Sequence, residues 1–109
     1  MTGLDDRKEA FEAKFKYDEE IQFRVNARTS KIFGLWAAGE LGLEGEETAS
    51  YAKMVVEADL EEPGFQDVLR KVTADFVDKG IKISEHRMQV ELEKAQTIAQ
   101  AEVMEEKAS

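Results

Sequence analysis

The sequence predicts an all-α protein, a four-helix bundle preceded by a mobile N-terminal segment. Only one Pro and seven Gly occur among the 109 residues, so few positions break a helix. Large apolar residues recur three and four positions apart, which is the spacing of one helix face rather than of a strand. Short connectors separate four such segments, and this places successive helices antiparallel around one core. A second independent core is not expected in a chain of this length.

The first helix is predicted over residues 18–41, and it ends in the Gly-rich stretch GELGLEGEE. Gly34 lies within this helix and costs about 1 kcal/mol relative to Ala without breaking it. The apolar stripe of the helix consists of Ile21, Val25, Ile32 and Trp36. The second helix is predicted over residues 47–60, before Pro63 and Gly64. Its buried residues are expected to be Tyr51, Met54, Val55 and Ala58.

The third helix is predicted over residues 65–79, with Gly80 as the residue that follows its C-terminus. Its apolar stripe is the clearest in the chain and consists of Phe65, Val68, Leu69, Val72 and Phe76. The fourth helix begins after Ser84, the predicted N-cap, with Ile83 and Met88 placed to form a hydrophobic staple. It continues through Leu92, Ala95, Ala99 and Val103.

Residues 1–18 are predicted to form a mobile segment, separate from a helical bundle made by residues 19–109. Leu4, Phe11 and Phe15 share one side of a helix, but this side lies about 80° from the stripe of the first helix. One straight helix therefore cannot press both stripes on the same core. Isolated helices of about 12–15 residues are marginal in water, so the segment is expected to fold fully only against a partner. Alternatively, its apolar side chains fold back onto the bundle.

Composition limits the classes of partner. The formal net charge of −9 and the sequence pI near 4.7 disfavour nucleic acids and anionic lipid surfaces, which attract basic proteins. Cys is absent, no apolar run approaches the length of a bilayer crossing, and the N-terminus lacks the pattern of a secretory signal. We therefore expect a cytoplasmic protein without membrane insertion, whose partners are proteins or small molecules.

The sequence offers no set of residues for catalysis or metal binding. His86 is the only histidine, so neither a His-rich metal site nor a nucleophile activated by a nearby His is assembled. No dinucleotide fingerprint or phosphate-binding loop is present. The acidic stretches EGEET and EADLEEPG do not have calcium-loop spacing, and solvated faces explain them. We expect no enzyme, no cofactor and no bound metal.

Arg24, Arg28 and Lys31 place three cations on one helix face, at positions i, i+4 and i+7. Such a face attracts a nucleotide phosphate or an acidic partner, because a bound anion relieves the mutual repulsion of the cations. The protein would then be a helical adaptor or a weak ATP- or ADP-binding module. Pairing with Glu20 and with acidic residues of other helices is the alternative.

Several ordered segments point to a known family. They are DDRKEAFEAKF, DEE, GLWAAGELGL, YAKMVVEADLEEPGFQDV and SEH. Together they resemble the ζ subunit of the α-proteobacterial ATP synthase, and the resemblance covers nearly the whole chain. It implies a four-helix bundle with a mobile N-terminus. It also implies inhibition of ATP hydrolysis by the F1 motor, in the manner of the mitochondrial ATPase inhibitor protein.

In proteins of this kind an N-terminal helix inserts into a catalytic interface between α and β subunits and approaches the central γ subunit. The resemblance implies that residues 1–18 do so here. One position differs, because the residue before the Asp-Asp pair is often Phe in the family and is Leu4 in this chain. The free protein is expected to be a monomer that associates with the membrane-bound ATP synthase. The residues implied to contact F1 are Leu4, Asp5, Asp6, Arg7, Phe11, Lys14 and Phe15.

Overall fold

A computed structural model describes the backbone of residues 2–59 and 64–108, and the side chains of residues 19–59 and 64–106. Its four α-helices, in chain order, are α1 (Thr2–Glu40), α2 (Glu46–Asp59), α3 (Gln66–Asp78) and α4 (Glu85–Ala108). No strand occurs in the described part of the chain. The predicted all-α class and the number of helices are confirmed.

Helix α1 is the centre of the bundle, since both α2 and α4 pack along it while α3 packs chiefly against α2. Helices α1 and α4 are antiparallel. The C-terminal half of α4 pairs with Arg28 through Glu102, whereas Arg87 in its first turn lies over the ring of Trp36, 5.9 Å from the centroid. This is the predicted up-and-down arrangement, and it follows from connectors too short to cross the bundle.

Helix α1 begins at Thr2 rather than near residue 18, so the predicted start of the first helix is wrong. The physical reason is that no Gly or Pro occurs between residues 4 and 33, and helix-forming Ala, Glu and Lys fill the N-terminal stretch. Nothing in the local sequence stops the helix. The predicted mobility of residues 1–18 lies outside the described side chains and stays a prediction.

The main core contains residues of all four helices, and aromatic packing joins α1 to α3 within it. Phe33 is completely buried, and its ring stacks on Trp36 with the centroids 5.4 Å apart. Trp36 in turn meets Phe76 of α3 edge to face at 5.8 Å. The third stripe is confirmed, since Val68, Val72 and Phe76 are all buried. A smaller cluster joins the other end of α1 to α4 and consists of Val25, Ala99 and Val103.

Helix α2 buries Tyr51 and Val55 as predicted, but Met54 is 51% exposed and the prediction that it is buried is wrong. Ala52 is buried instead, because it lies where α2 approaches Gly34 of α1. Gly34 allows α1 and α2 to approach each other closely. A Cβ added to Gly34 would lie only 2.9 Å from Cα of Ala52. The glycine within α1 is therefore a site of helix contact and not merely a tolerated interruption.

The predicted helix ends are confirmed by their hydrogen bonds. The Ser84 hydroxyl accepts a hydrogen bond from the Arg87 backbone N–H at 3.0 Å, which is N-cap geometry at the start of α4. Gly80 adopts φ of 72° after α3, a conformation that side-chain-bearing residues rarely adopt. Ile83 packs against the main core, to which Met88 belongs, as a hydrophobic staple requires.

Candidate functional site

The residues implied to contact F1 all lie in the N-terminal part of α1. Their side chains are outside the described residues, so the site that they form stays a prediction. They are Leu4, Asp5, Asp6, Arg7, Phe11, Lys14 and Phe15. The candidate surface that the structure does describe is the outward side of α1 that follows them, where the three predicted cations lie.

Arg28 holds α1 to α4. Its two terminal nitrogens donate to different carboxylates, at 3.0 Å to Oε1 of Glu102 and at 2.6 Å to Oε1 of Glu106. The hydrogen bond to Glu106, and to a lesser extent the one to Glu102, raises the pKa of the Arg28 guanidinium. Partial burial opposes this rise. The predicted pairing of this cation with another helix is confirmed. Its partners come from α4 and not from Glu20.

Arg24 and Lys31, the other two cations of the predicted face, behave differently. Both side chains are exposed, and neither pairs with any residue whose side chain is described. Since Arg28 is neutralised by its carboxylate partners, the predicted three-charge face is reduced to two available charges. They lie seven residues apart on α1, which is about 10 Å along the helix axis.

Phe23 lies beside these cations and was not identified from the sequence as a surface residue of interest. Its side chain is 61% exposed. It lines a depression of about 330 Å³ together with Ala27 and Val56, and the walls carry Arg24, Lys31 and the ion pair of Arg28 with Glu106. A second depression of about 380 Å³ is lined by Phe23, Arg24 and the carboxylates of Glu19 and Glu20. The sequence did contain a feature that indicates its exposure, because Phe23 is apolar yet lies outside the predicted buried stripe of the helix.

The side chains of this surface are of types that bind anions and apolar groups. An aromatic ring beside two exposed cations can bind a carboxylate-bearing protein surface or another anion. No side chain here is an activated nucleophile or a general base with a partner. Within the described residues, no group of three or more His, Cys, Asp and Glu side chains is placed to hold a metal ion. His86 is exposed on α4, away from this surface.

A polar cluster lies where α1 meets the ends of α2 and α3. Ser30 is completely buried, and its hydroxyl faces Asp59 without reaching full hydrogen-bond geometry with any described group. Burial raises the pKa of the Asp59 carboxyl above its ordinary value. The weak contact with Ser30 opposes this shift, and the nearby Asp67 carboxylate adds to it. Asp59 is also the last residue of α2, where the helix dipole disfavours a negative charge.

A second polar group fixes α2 to α3. The Tyr51 hydroxyl donates to Oδ2 of Asp75 at 2.7 Å, and Nζ of Lys71 reaches the same oxygen at 3.2 Å. Lys71 also lies 5.4 Å from the centroid of the Tyr51 ring. Burial, followed by the hydrogen bond to the Asp75 carboxylate, raises the pKa of the Tyr51 hydroxyl. The phenol therefore stays protonated and acts as a structural donor.

None of the helices, over the residues that the structure describes, has a stretch long and apolar enough to cross a membrane. This agrees with the sequence, in which charged residues interrupt every apolar stripe.

Comparisons with known proteins identify the family. The model of the family "ATPase inhibitor subunit zeta" matches residues 1–102. A comparison with curated proteins found no match. Among solved structures, the chain is similar to one described as "Solution NMR structure of the protein", at 41% sequence identity and a TM-score of 0.69. That likeness covers 79% of this chain and 98% of the other. Since the family model spans both the N-terminal stretch and the bundle, this chain belongs to the ATPase inhibitor subunit zeta family.

Proposed function

We propose that this chain is a non-catalytic regulator that blocks ATP hydrolysis by F1, through insertion of its N-terminal helix into a catalytic α/β interface. One observation carries the proposal, which is the family match over residues 1–102. Membership in an ATPase inhibitor family supports a regulatory role at the ATP synthase. The match begins at residue 1, so the stretch assigned to inhibition is part of the likeness.

The form of α1 supports this mechanism. The helix runs from Thr2 to Glu40, and α2 and α4 pack along its second half. Because the N-terminal stretch continues α1, the bundle holds its C-terminal end in a helix, from which the stretch folds against a partner. In the proposed complex Leu4, Phe11 and Phe15 anchor the segment in apolar pockets between the α and β subunits. Asp5, Asp6, Arg7 and Lys14 pair with polar groups there, and the tip approaches γ.

The proposal places the protein on the cytoplasmic side, bound to the membrane-embedded ATP synthase and free as a monomer. It requires neither a cofactor nor a metal. The alternative role, a helical adaptor or nucleotide-binding module using Arg24, Arg28 and Lys31, has weaker support. The donors of Arg28 are already committed to Glu102 and Glu106, so only two cations remain for a phosphate group.

The decisive test adds the intact protein to F1 from the same organism and follows ATP hydrolysis during turnover. We expect loss of hydrolysis with the wild type, and loss of most inhibition with the double variant Phe11→Ala/Phe15→Ala. Each truncated ring at a buried interface costs about 2–4 kcal/mol of binding. Absence of inhibition by saturating wild type would overturn the proposal. A folded double variant that inhibits fully would show that these two rings are not the anchors.

A further inference from the structure

We propose that an ion-paired brace between α1 and α4 positions the inhibitory stretch, because it fixes the direction in which the N-terminal part of α1 leaves the bundle. The brace consists of Arg28 on α1 and of Glu102 and Glu106 on α4. These three are positioning residues, which act through the direction of α1 and not through contact with F1. The inference rests on the proposed function, since it names the residues that orient the proposed inhibitory helix.

The brace lies where α1 leaves the bundle. Beside it, Val25 of α1 is buried with Ala99 and Val103 of α4, and Ile21 packs on the same small cluster. No described residue of α2 or α3 belongs to this cluster. The preceding residues 19–20 are exposed. Within the described side chains, α4 therefore supplies the last core contacts of α1 before the proposed inhibitory stretch.

Arg28 holds both carboxylates at once. Its two terminal nitrogens lie 3.0 Å from Oε1 of Glu102 and 2.6 Å from Oε1 of Glu106. The two glutamates are one turn apart on α4, so the planar guanidinium spans that turn. An isolated exposed ion pair contributes little to stability, but here one Arg joins two carboxylates, and only 29% of its side chain is exposed. The partners are 74 and 78 positions from Arg28 in the sequence, so the contact ties two helices together.

The apolar contact at this end does not define the direction of α1 by itself. Val25, Ala99 and Val103 have short side chains and form a much smaller cluster than the main core. Apolar burial is non-directional, whereas charge-assisted hydrogen bonds require specific distances and angles. In the proposed complex Phe11 lies 17 residues before Arg28, which is about 25 Å along the axis. A tilt of about 10° at the brace would therefore displace that ring by about 4 Å.

The brace also holds the end of α4 in place. Glu102 and Glu106 lie in the last two turns of this helix, which ends at Ala108. The helix dipole disfavours negative charge there, and the Arg28 guanidinium offsets this effect. Removing the cation would therefore loosen the same stretch of α4 that packs on Val25.

The test uses full-length variants that open the brace from opposite sides. Arg28→Gln removes the cation from α1. The double variant Glu102→Gln/Glu106→Gln removes both carboxylates and leaves every residue of α1 unchanged. A triple variant combines the three substitutions. For each protein the concentration that gives half-maximal inhibition of ATP hydrolysis by F1 is measured, and thermal unfolding verifies that it is folded.

The matched control is Glu91→Gln/Glu93→Gln, which also removes two carboxylates from α4. The ion pairs of Glu91 are with Arg87 and Lys94 of the same helix, and the Glu93 side chain is exposed. Net charge changes equally in the control and in the double glutamate variant. Any difference between these two therefore reports the contact with α1.

We expect Arg28→Gln and the double glutamate variant each to inhibit about three- to tenfold more weakly than the wild type, because the productive direction of α1 becomes a minor fraction of the population. The triple variant should be no weaker than either, since the three residues act as a unit. The control should equal the wild type.

The other outcomes separate the brace from the proposed function. If Arg28→Gln weakens inhibition and the double glutamate variant does not, Arg28 contacts F1 directly and the brace is refuted. If the wild type inhibits and neither variant differs from it, the brace is refuted while the proposed function stands. A saturating wild type that does not inhibit overturns both.

A distance measurement on the free protein tests the positioning directly. The chain has no Cys, so spin labels can be attached through Glu19→Cys and Gln89→Cys, two exposed positions near opposite ends of the contact between α1 and α4. Double electron–electron resonance should give a narrow distance distribution for the intact brace and for the control. It should give a broader or shifted distribution for both brace variants. Identical distributions in all of these proteins would refute the brace.

Discussion

Replacing Gly34 by Ala tests whether this glycine sets the distance between α1 and α2. The new Cβ would lie 2.9 Å from Cα of Ala52 and 3.1 Å from Cβ of Val55. Carbon atoms pack at about 3.5–4.0 Å, and a backbone atom cannot rotate out of the way. The two helices must therefore separate by several tenths of an ångström, and this loosens a buried contact.

Two opposing terms give the magnitude. Ala is favoured over Gly within a helix by about 1 kcal/mol, whereas forcing one extra carbon into a packed core costs about 1–3 kcal/mol. Gly39→Ala is the matched control, because Gly39 belongs to the same helix and an added Cβ there meets nothing within 4 Å. That change should stabilise the protein by up to about 1 kcal/mol. The difference in stability between the two variants isolates the contact and should be about 1–3 kcal/mol.

Urea unfolding followed by far-ultraviolet circular dichroism measures this difference. The midpoint should fall for Gly34→Ala relative to Gly39→Ala while the slope of the transition stays the same. In thermal unfolding each kcal/mol corresponds to about 4–8 °C for a domain of this size. A Gly34→Ala variant as stable as the Gly39→Ala variant would show that α1 and α2 adjust freely, and that the close approach is not a constraint on the fold.

Three further changes test other parts of the bundle. Phe76→Ala should destabilise the fold by about 3–5 kcal/mol in urea unfolding, because it removes a core ring, and a loss below about 1 kcal/mol would contradict its place in the core. Tyr51→Phe should cost about 1 kcal/mol by the same assay, since it removes one of the two donors to the partly exposed Asp75 and leaves only Lys71; an unchanged midpoint would mean that solvent replaces this bond. Because the folded-state pKa of Asp59 is raised, the stabilisation by its protonated carboxyl is fully present below the ordinary pKa of 3.8 and is lost as pH rises through the raised pKa. Asp59→Asn should therefore raise Tm at pH 7 but not at pH 3, and a gain in Tm that is equal at both pH values would exclude titration of Asp59 as its cause.

Local signals in the sequence predicted much of the fold. The stripe of α3 and the Ser84 cap depend on residues within one or two turns, so their spacing alone identified them. Burial on α1 and α2 was harder to predict, because it depends on the directions from which other helices approach. Phe33 was missed for this reason, since it faces the core between flanking helices. Met54 was misassigned because the contact at Gly34 turns α2 so that this side chain faces outward.

In the candidate site, too, features set by nearby residues were predicted from the sequence, whereas features set by residues far along the chain were not. Spacing on a helix placed Arg24, Arg28 and Lys31 on one face, and this was sufficient to single them out. Their different states depend on Glu102, which is 74 positions from Arg28 in the sequence. No local pattern reports which cation a distant carboxylate neutralises. The family resemblance supplied the assignment of the N-terminal segment, which composition and periodicity left open between a flap and an interface.

Because α1 is one continuous helix, the number of residues between the N-terminal stretch and the bundle would by itself affect the proposed inhibition. Between the proposed inhibitory stretch and the bundle, α1 continues without a loop that could absorb an inserted residue. Inserting one residue near position 20 would rotate everything before it by about 100° and advance it by about 1.5 Å relative to the bundle. The same insertion in the connector between α1 and α2 would leave that geometry intact. Two homologues with identical contact residues can therefore present them to F1 in different orientations if a single insertion separates them.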